Sequence, residues 1–221
     1  MKYLDLVSPR HNAEYALIVF TRYPEPGKTK TRLIPALGEE GAAQLQRVMT
    51  ENTLRQAISL SNRLPVTIEI HFSGATDMQM RTWLGEEHIY CEQASGDLGA
   101  RLLSAFQQAF TSGKNRVVAV GIDCPQLDAE ILRQAFKVLE MSAIAIGPAV
   151  DGGYYLIGLN QMIPELFQAI PWGTGDVFAK TVKIAQKLKL SLEQLPMLHD
   201  IDLPQDLENL TPPLDEFRHT Q

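Results

Sequence analysis

Short apolar runs alternate with amphipathic stretches along most of the chain. Residues 15–21 (YALIVFT) form a continuous apolar run of strand length, too short for a helix. A loop rich in Pro and Gly follows, over residues 22–38. Apolar side chains at Ala42, Leu45, Val48, Met49 and Ala57 then recur at helical spacing across residues 39–60, with acids in the first turn. Residues 66–72 alternate β-branched and polar positions, which predicts a second strand. A short helix is expected over 76–84, a short strand over 88–92 and a helix over 97–111. Residues 116–122 read as another buried strand, running into Asp123. Asp128 is expected to cap a helix over 129–141. Residues 143–149 and 154–159 complete the strands, and helical patterns return at 164–169, 176–189 and 204–210.

This alternation predicts an α/β fold with a mostly parallel sheet covered by helices on both faces. The chain shows no repeat, low-complexity segment or linker. One domain is expected over residues 1–221, with its core at about 15–210 and flexible ends. In such sheets ligands bind beyond the carboxyl ends of the strands. Three polar clusters are expected there: residues 22–32, 121–125 and 151–155.

The first cluster, RYPEPGKTKTR, sets Arg22, Lys28, Lys30 and Arg32 against one acid, Glu25. Four cations on a loop stiffened by proline, with Gly27 for close backbone approach, suit a diphosphate. A solvated basic loop would look the same. A Walker A motif needs glycine five residues before Gly27, and Arg22 stands there. The second cluster, GIDCP, delivers Asp123 at a strand end, where it suits Mg²⁺ or Mn²⁺; a turn or cap role is equally compatible. Cys124 beside it reads as a passive thiol. In the third cluster, Asp151, Gly152, Gly153 and Tyr154 fit either a hairpin turn or a wall against a sugar or base. Near the C-terminus, Asp200 and Asp202 offer a further metal ligand or a helix cap.

Composition narrows the class. Among 221 residues, 45% are hydrophobic and 21% charged, enough apolar material for a core. The net charge of −6 opposes a general nucleic-acid binder. Seven acids against Arg218 place that excess in residues 193–221, a segment expected to fray from Leu214 onward. No run reaches transmembrane length, and the N-terminus has no signal-like apolar stretch. Two cysteines build no disulfide framework, so a reduced, cytoplasmic protein is expected. The five histidines form no HExxH and no Cys/His zinc spacing. GxGxxG after the first strand and GxSxG are also missing, which removes a dinucleotide site and a serine hydrolase elbow.

Five blocks carry a more specific resemblance: FTRYPEPGKTKTRL (residues 20–33), SGDLGARL (95–102), GIDCPQL (121–127), GPAVDGGYYLIGL (147–159) and DIDLPQDL (200–207). In this order they resemble DUF2064, a bacterial family of glycosyltransferase-like proteins with a GT-A-type fold. The resemblance implies a single nucleotide-diphospho-sugar transferase domain, a three-layer α/β/α sandwich with a mixed, mostly parallel sheet. It implies nucleotide and phosphate binding by Arg22, Gly27, Lys28, Lys30 and Arg32, with Asp97 and Gly99 at the base, ribose or sugar. Asp123 matches the metal-binding acid and Asp202 a second metal ligand, with Mg²⁺ or Mn²⁺ as cofactor. Position 121 is Gly, so no DxD motif stands at 121–123, and the Asp-Cys-Pro form is closer to related nucleotidyltransferases. Asp151 is expected to place or deprotonate the acceptor, beside Gly152, Gly153 and Tyr154. The expected partners are a nucleotide-sugar or NTP and a small-molecule acceptor. Glycosyl transfer, nucleotidyl transfer with release of pyrophosphate, and non-catalytic nucleotide binding all remain open at this level.

Overall fold

The first apolar run becomes β1 (Tyr15–Arg22), inside a seven-stranded sheet in a computed structural model that describes residues 13–210. In chain order follow α1 (Ile34–Ser61), β2 (Val66–Ser73), α2 (Asp77–Leu84), β3 (Ile89–Glu92), α3 (Leu98–Thr111), β4 (Arg116–Val120) and α4 (Ala129–Val138). Then come β5 (Ile144–Pro148), β6 (Tyr154–Leu159), α5 (Val177–Lys187) and β7 (Leu192–Gln194). Short 3₁₀ turns lie at Thr31–Leu33, Pro164–Phe167 and Pro204–Asn209. The sheet order is β3-β2-β1-β4-β6-β5-β7, and β6 runs antiparallel to both neighbours while the remaining pairs are parallel. The mixed, mostly parallel α/β sheet expected from the alternation is therefore present.

Each face of the sheet carries its own core. On one side α1, α2 and α4 pack Leu45, Met49, Met80, Leu132 and Phe136 against Leu17, Val19 and Ile70. On the other, α3 and α5 set Leu102, Phe106 and Ala185 against Ile18, Val117 and Ile157. Burial of these apolar faces drives the three-layer arrangement. Caps fix several helix starts: Asp97 Oδ1 accepts from Ala100 N at 2.8 Å, Asp128 Oδ1 from Ile131 N at 2.8 Å, and Thr76 with Gln79 forms a capping box.

Several boundaries differ from expectation for local reasons. α1 begins five residues early, at Ile34, but breaks at Gly38 (φ 71°), so its straight part starts at Glu39 as the periodicity predicts. α4 stops at Val138 instead of 141, where the backbone tightens into i→i−3 bonds, Glu140 N to the Lys137 carbonyl and Met141 N to that of Val138. The helical pattern at 164–169 is only a 3₁₀ turn, ending before Ala169 at φ 54°. β7, three residues on the sheet edge, is too short to leave a periodic signal. Among the described residues no helix is long and apolar enough to cross a membrane. Leu214 and the tail beyond it lie outside the described residues.

Candidate active site

β1 has β2 on one side and β4 on the other, so the chain direction of connection reverses between β1 and β4. This is the switch point at which open α/β sheets bind ligands. A cavity of about 350 Å³ opens there, lined by Thr21 and Arg22 from the end of β1 and by Gly121 and Asp123 beyond β4. A second cavity of about 570 Å³ adjoins it, reaching Asp151, Trp172 and Asp200. Leu98, Gly121, Asp123, Tyr154 and Tyr155 line both.

The basic loop is ordered by its own backbone. Thr29 Oγ1 donates to the Glu25 carbonyl at 3.2 Å, and Leu33 N to that of Lys30 at 2.8 Å. Lys30 takes a left-handed conformation, φ 47°, unusual for a residue with a Cβ. Its side chain is only 4% exposed, and Nζ pairs with Asp123 Oδ1 at 2.7 Å while also donating to the Ile201 carbonyl. Arg32 Nη1 meets Asp202 Oδ2 at 2.6 Å. The segment at 200–202 is pinned below by Ile201 N donating to the Asp123 carbonyl at 2.8 Å. Lys30, Arg32, Asp123 and Asp202 thus face one small cavity of about 240 Å³.

Carboxylates dominate the second cavity. Asp151 Oδ1 accepts from Gly153 N at 2.7 Å, fixing the loop before β6. Asp200 has its carboxyl raised above the ordinary value, first by burial and then by the Asp151 charge. The Cys124 thiol is pushed far up by burial, then by Asp123 and Asp200, which makes it a poor nucleophile. The Tyr154 hydroxyl is buried with no hydrogen-bond partner among the described residues, while its ring meets Trp172 edge-on at 6.1 Å.

The expected site residues divide accordingly. Arg22, Lys30, Arg32, Asp123, Asp151, Gly153, Tyr154 and Asp202 line the cavities. Gly27 and Lys28 line none of the three; Lys28 pairs with Glu25 at 2.7 Å on the surface. Asp97 and Gly99 also stay outside: Asp97 caps α3, and a Cβ on Gly99 would stand 2.3 Å from Trp172 Nε1. The same helix reaches the first cavity through Leu98 and Arg101 instead. Gly152 is a packing glycine, φ 87°, where a Cβ would meet the Gly175 carbonyl oxygen at 2.1 Å. Asp202 does not cap the last 3₁₀ turn; Asp206 accepts from the backbone N–H groups of Asp202 and Leu203. Sequence reasoning missed Trp172, Gln46 and Gln93, which have no motif around them, and passed over Arg101 within the SGDLGARL block.

The model of a family of uncharacterised proteins conserved in bacteria, DUF2064, matches residues 53–174, more than half of the chain. A protein of Desulfovibrio desulfuricans G20, a proposed nucleotide-diphospho-sugar transferase, is 36% identical, with a TM-score of 0.84 over 95% of this chain and 92% of that one. The chain belongs to the DUF2064 family. More distant solved structures share the fold of this DUF2064 protein. Rv0371c of Mycobacterium tuberculosis H37Rv, solved in complex with manganese, is 15% identical with a TM-score of 0.55, covering 89% of this chain and 96% of that one. The inositol-1-phosphate CTP transferase of T. maritima is 12% identical with a TM-score of 0.54, covering 93% and 94%. No functionally curated protein matches the chain.

Proposed function

We propose that this protein is a metal-dependent transferase that moves a glycosyl group from a nucleotide-diphospho-sugar to a small acceptor. One observation carries the reading: two ligand-sized cavities meet at Asp123, and Lys30 and Arg32 supply cationic charge at their junction. The first cavity, against β1 and β4, would take the nucleotide. The second, with Trp172 and five carboxylates, would take the acceptor. Lys30, Arg22 and Arg32 would offset charge on the departing diphosphate, a preorganised contribution of the kind that dominates such reactions. Asp151 would orient the acceptor or take its proton, and Asp200, held more basic beside it, could share that task. Tyr154, which lines both cavities, would wall the sugar or acceptor.

The donor set at the small cavity fits a hard divalent cation. Asp123 and Asp202 offer carboxylate oxygens there, as Mg²⁺ or Mn²⁺ requires. A bound ion would further neutralise the diphosphate, and Lys30 and Arg32 would then be released from the two acids to the phosphates. The Mn²⁺-bound relative and the proposed sugar-nucleotide transferase support this assignment by likeness of fold and family.

Nucleotidyl transfer from an NTP is the second reading, and Gly121 favours it. The strand end offers one acid instead of the pair of a DxD motif, and a Cβ at 121 would meet nothing within 4 Å. A thermal-shift panel of nucleotide-sugars and free NTPs, each with and without Mg²⁺ or Mn²⁺, tests both. A true ligand at 100 times its Kd should stabilise the protein by about 2.7 kcal/mol, or roughly 5–10 °C at this size. A metal-dependent shift with one nucleotide-sugar and release of a nucleoside diphosphate supports glycosyl transfer. Pyrophosphate release from an NTP supports the second reading. Ligand binding without turnover of any donor would leave a nucleotide-binding protein and overturn both.

A further inference from the structure

β2 reads VTIEIHFS, with Val66, Ile68, Ile70 and Phe72 facing one side and Thr67, Glu69 and His71 the other. A strand so patterned ordinarily keeps its polar face wet. Here that face is buried too: Thr67, Glu69 and His71 are 3%, 7% and 3% exposed. Burying a carboxylate and an imidazole is costly without compensating partners. Strand register sets His71 beside Cys91 of β3, so Cys91 joins Glu69 and His71 on the same face. The ligand atoms of these three residues all lie within 4.8 Å of one another, and His71 Nε2 stands 3.4 Å from Glu69 Oε2. In a tetrahedral zinc site with bonds of about 2.0–2.3 Å, neighbouring ligand atoms lie about 3.3–3.7 Å apart. The imidazole–carboxylate separation already falls on that edge. The thiol needs to close by no more than about 1.3 Å.

We infer that Glu69, His71 and Cys91 form a binding site for a zinc-class divalent cation within the sheet. A thiolate, an imidazole and a carboxylate together select a borderline-soft ion over Mg²⁺ or Ca²⁺, unlike the all-carboxylate pair at Asp123 and Asp202. Burial first, and then the charges of Glu69 and Asp77, push the Cys91 thiol up, so cation binding would release its proton. The surroundings orient the ligands. Phe20 stacks on the His71 ring with centroids 5.4 Å apart, and Gln93 Nε2 donates to the His71 carbonyl at 2.8 Å. Phe20 and Gln93 both line the first cavity, so the ion would brace that cavity's floor from within the sheet. The inference does not depend on which transfer reaction the active site performs.

Untagged full-length protein, purified without chelator, provides the test. Metal analysis should find about one zinc per chain, and Co²⁺ replacement should give the near-ultraviolet thiolate-to-cobalt band. That band should be lost in Cys91→Ser and kept in Cys124→Ala and in Asp123→Asn. A folded wild-type chain that holds no zinc and gives no thiolate-to-cobalt band would overturn the site, leaving a buried Glu–His pair without an ion. A band that survives Cys91→Ser, or is lost with Cys124, would overturn it as well. If Cys91→Ser fails to fold, the wild-type and Cys124→Ala spectra together decide the question.

Discussion

Lys30 holds a left-handed backbone and a buried ammonium at once, a combination that persists only where the surroundings fix both. Its partner Asp123 is half-exposed, with 53% of its side chain accessible, so the carboxylate is presented to the cavity as well as to the lysine. Asp123→Asn keeps an acceptor for Lys30, so it should abolish metal-dependent ligand shifts while Tm falls by only a few degrees. Undiminished metal-dependent binding in that variant would remove Asp123 from the mechanism. Two glycines separate packing from function. A Cβ on Gly99 would stand 2.5 Å from the Phe167 carbonyl oxygen, so Gly99→Ala should cost about 1–3 kcal/mol in denaturant unfolding. Gly121→Ala meets no neighbour, so Tm should change by no more than about 2 °C while nucleotide binding weakens, because the methyl enters the cavity. Cys124→Ala should retain activity, and iodoacetamide at mildly alkaline pH should leave Cys124 of the native protein unmodified, given how far burial raises its thiol.

At the scale of elements, caps and periodicity made most boundaries readable. Asp128 marks α4 in the sequence as it does in space, since an N-cap is a local bond three residues long, whereas Asp97, expected at a ligand, turns out to cap α3. The cap also tests what Asp97 does. Asp97→Ala should lose about 1 kcal/mol of stability with the KM for the donor unchanged, whereas a KM rise without loss of stability would give Asp97 a ligand contact instead. Legibility failed where the deciding interaction was not local. The polar face of β2 looks like a solvent face by its alternation, and only its neighbours in space bury it. β7 exists because β5 offers an edge to pair with, over three residues that carry no period of their own. The 3₁₀ turn at Pro164–Phe167 has a helical pattern but stops when Ala169 takes a positive φ.

For the whole molecule, the site is assembled from four stretches of chain: the loop after β1, the end of β4, the turn before β6 and the segment at 200–202. β1 and β4 are each hydrogen-bonded on both sides, whereas β7 pairs with β5 alone. Native-state hydrogen exchange should therefore find the amides of β1 and β4 slowest and those of β7 first to exchange, and the reverse order would contradict this sheet order. The sequence by itself determined the order and type of nearly every element, because apolar periodicity and caps act over a few residues. It also determined that basic, acidic and glycine-rich clusters would stand at strand ends. The partners of those clusters were decided by the tertiary structure: Lys30 with Asp123, and Arg32 with Asp202, 170 positions away. So were the packing role of Gly99 and the convergence of Glu69, His71 and Cys91. Such pairings depend on which strands lie side by side and in what register. That choice is made by the burial of both sheet faces together, not by any local run of residues.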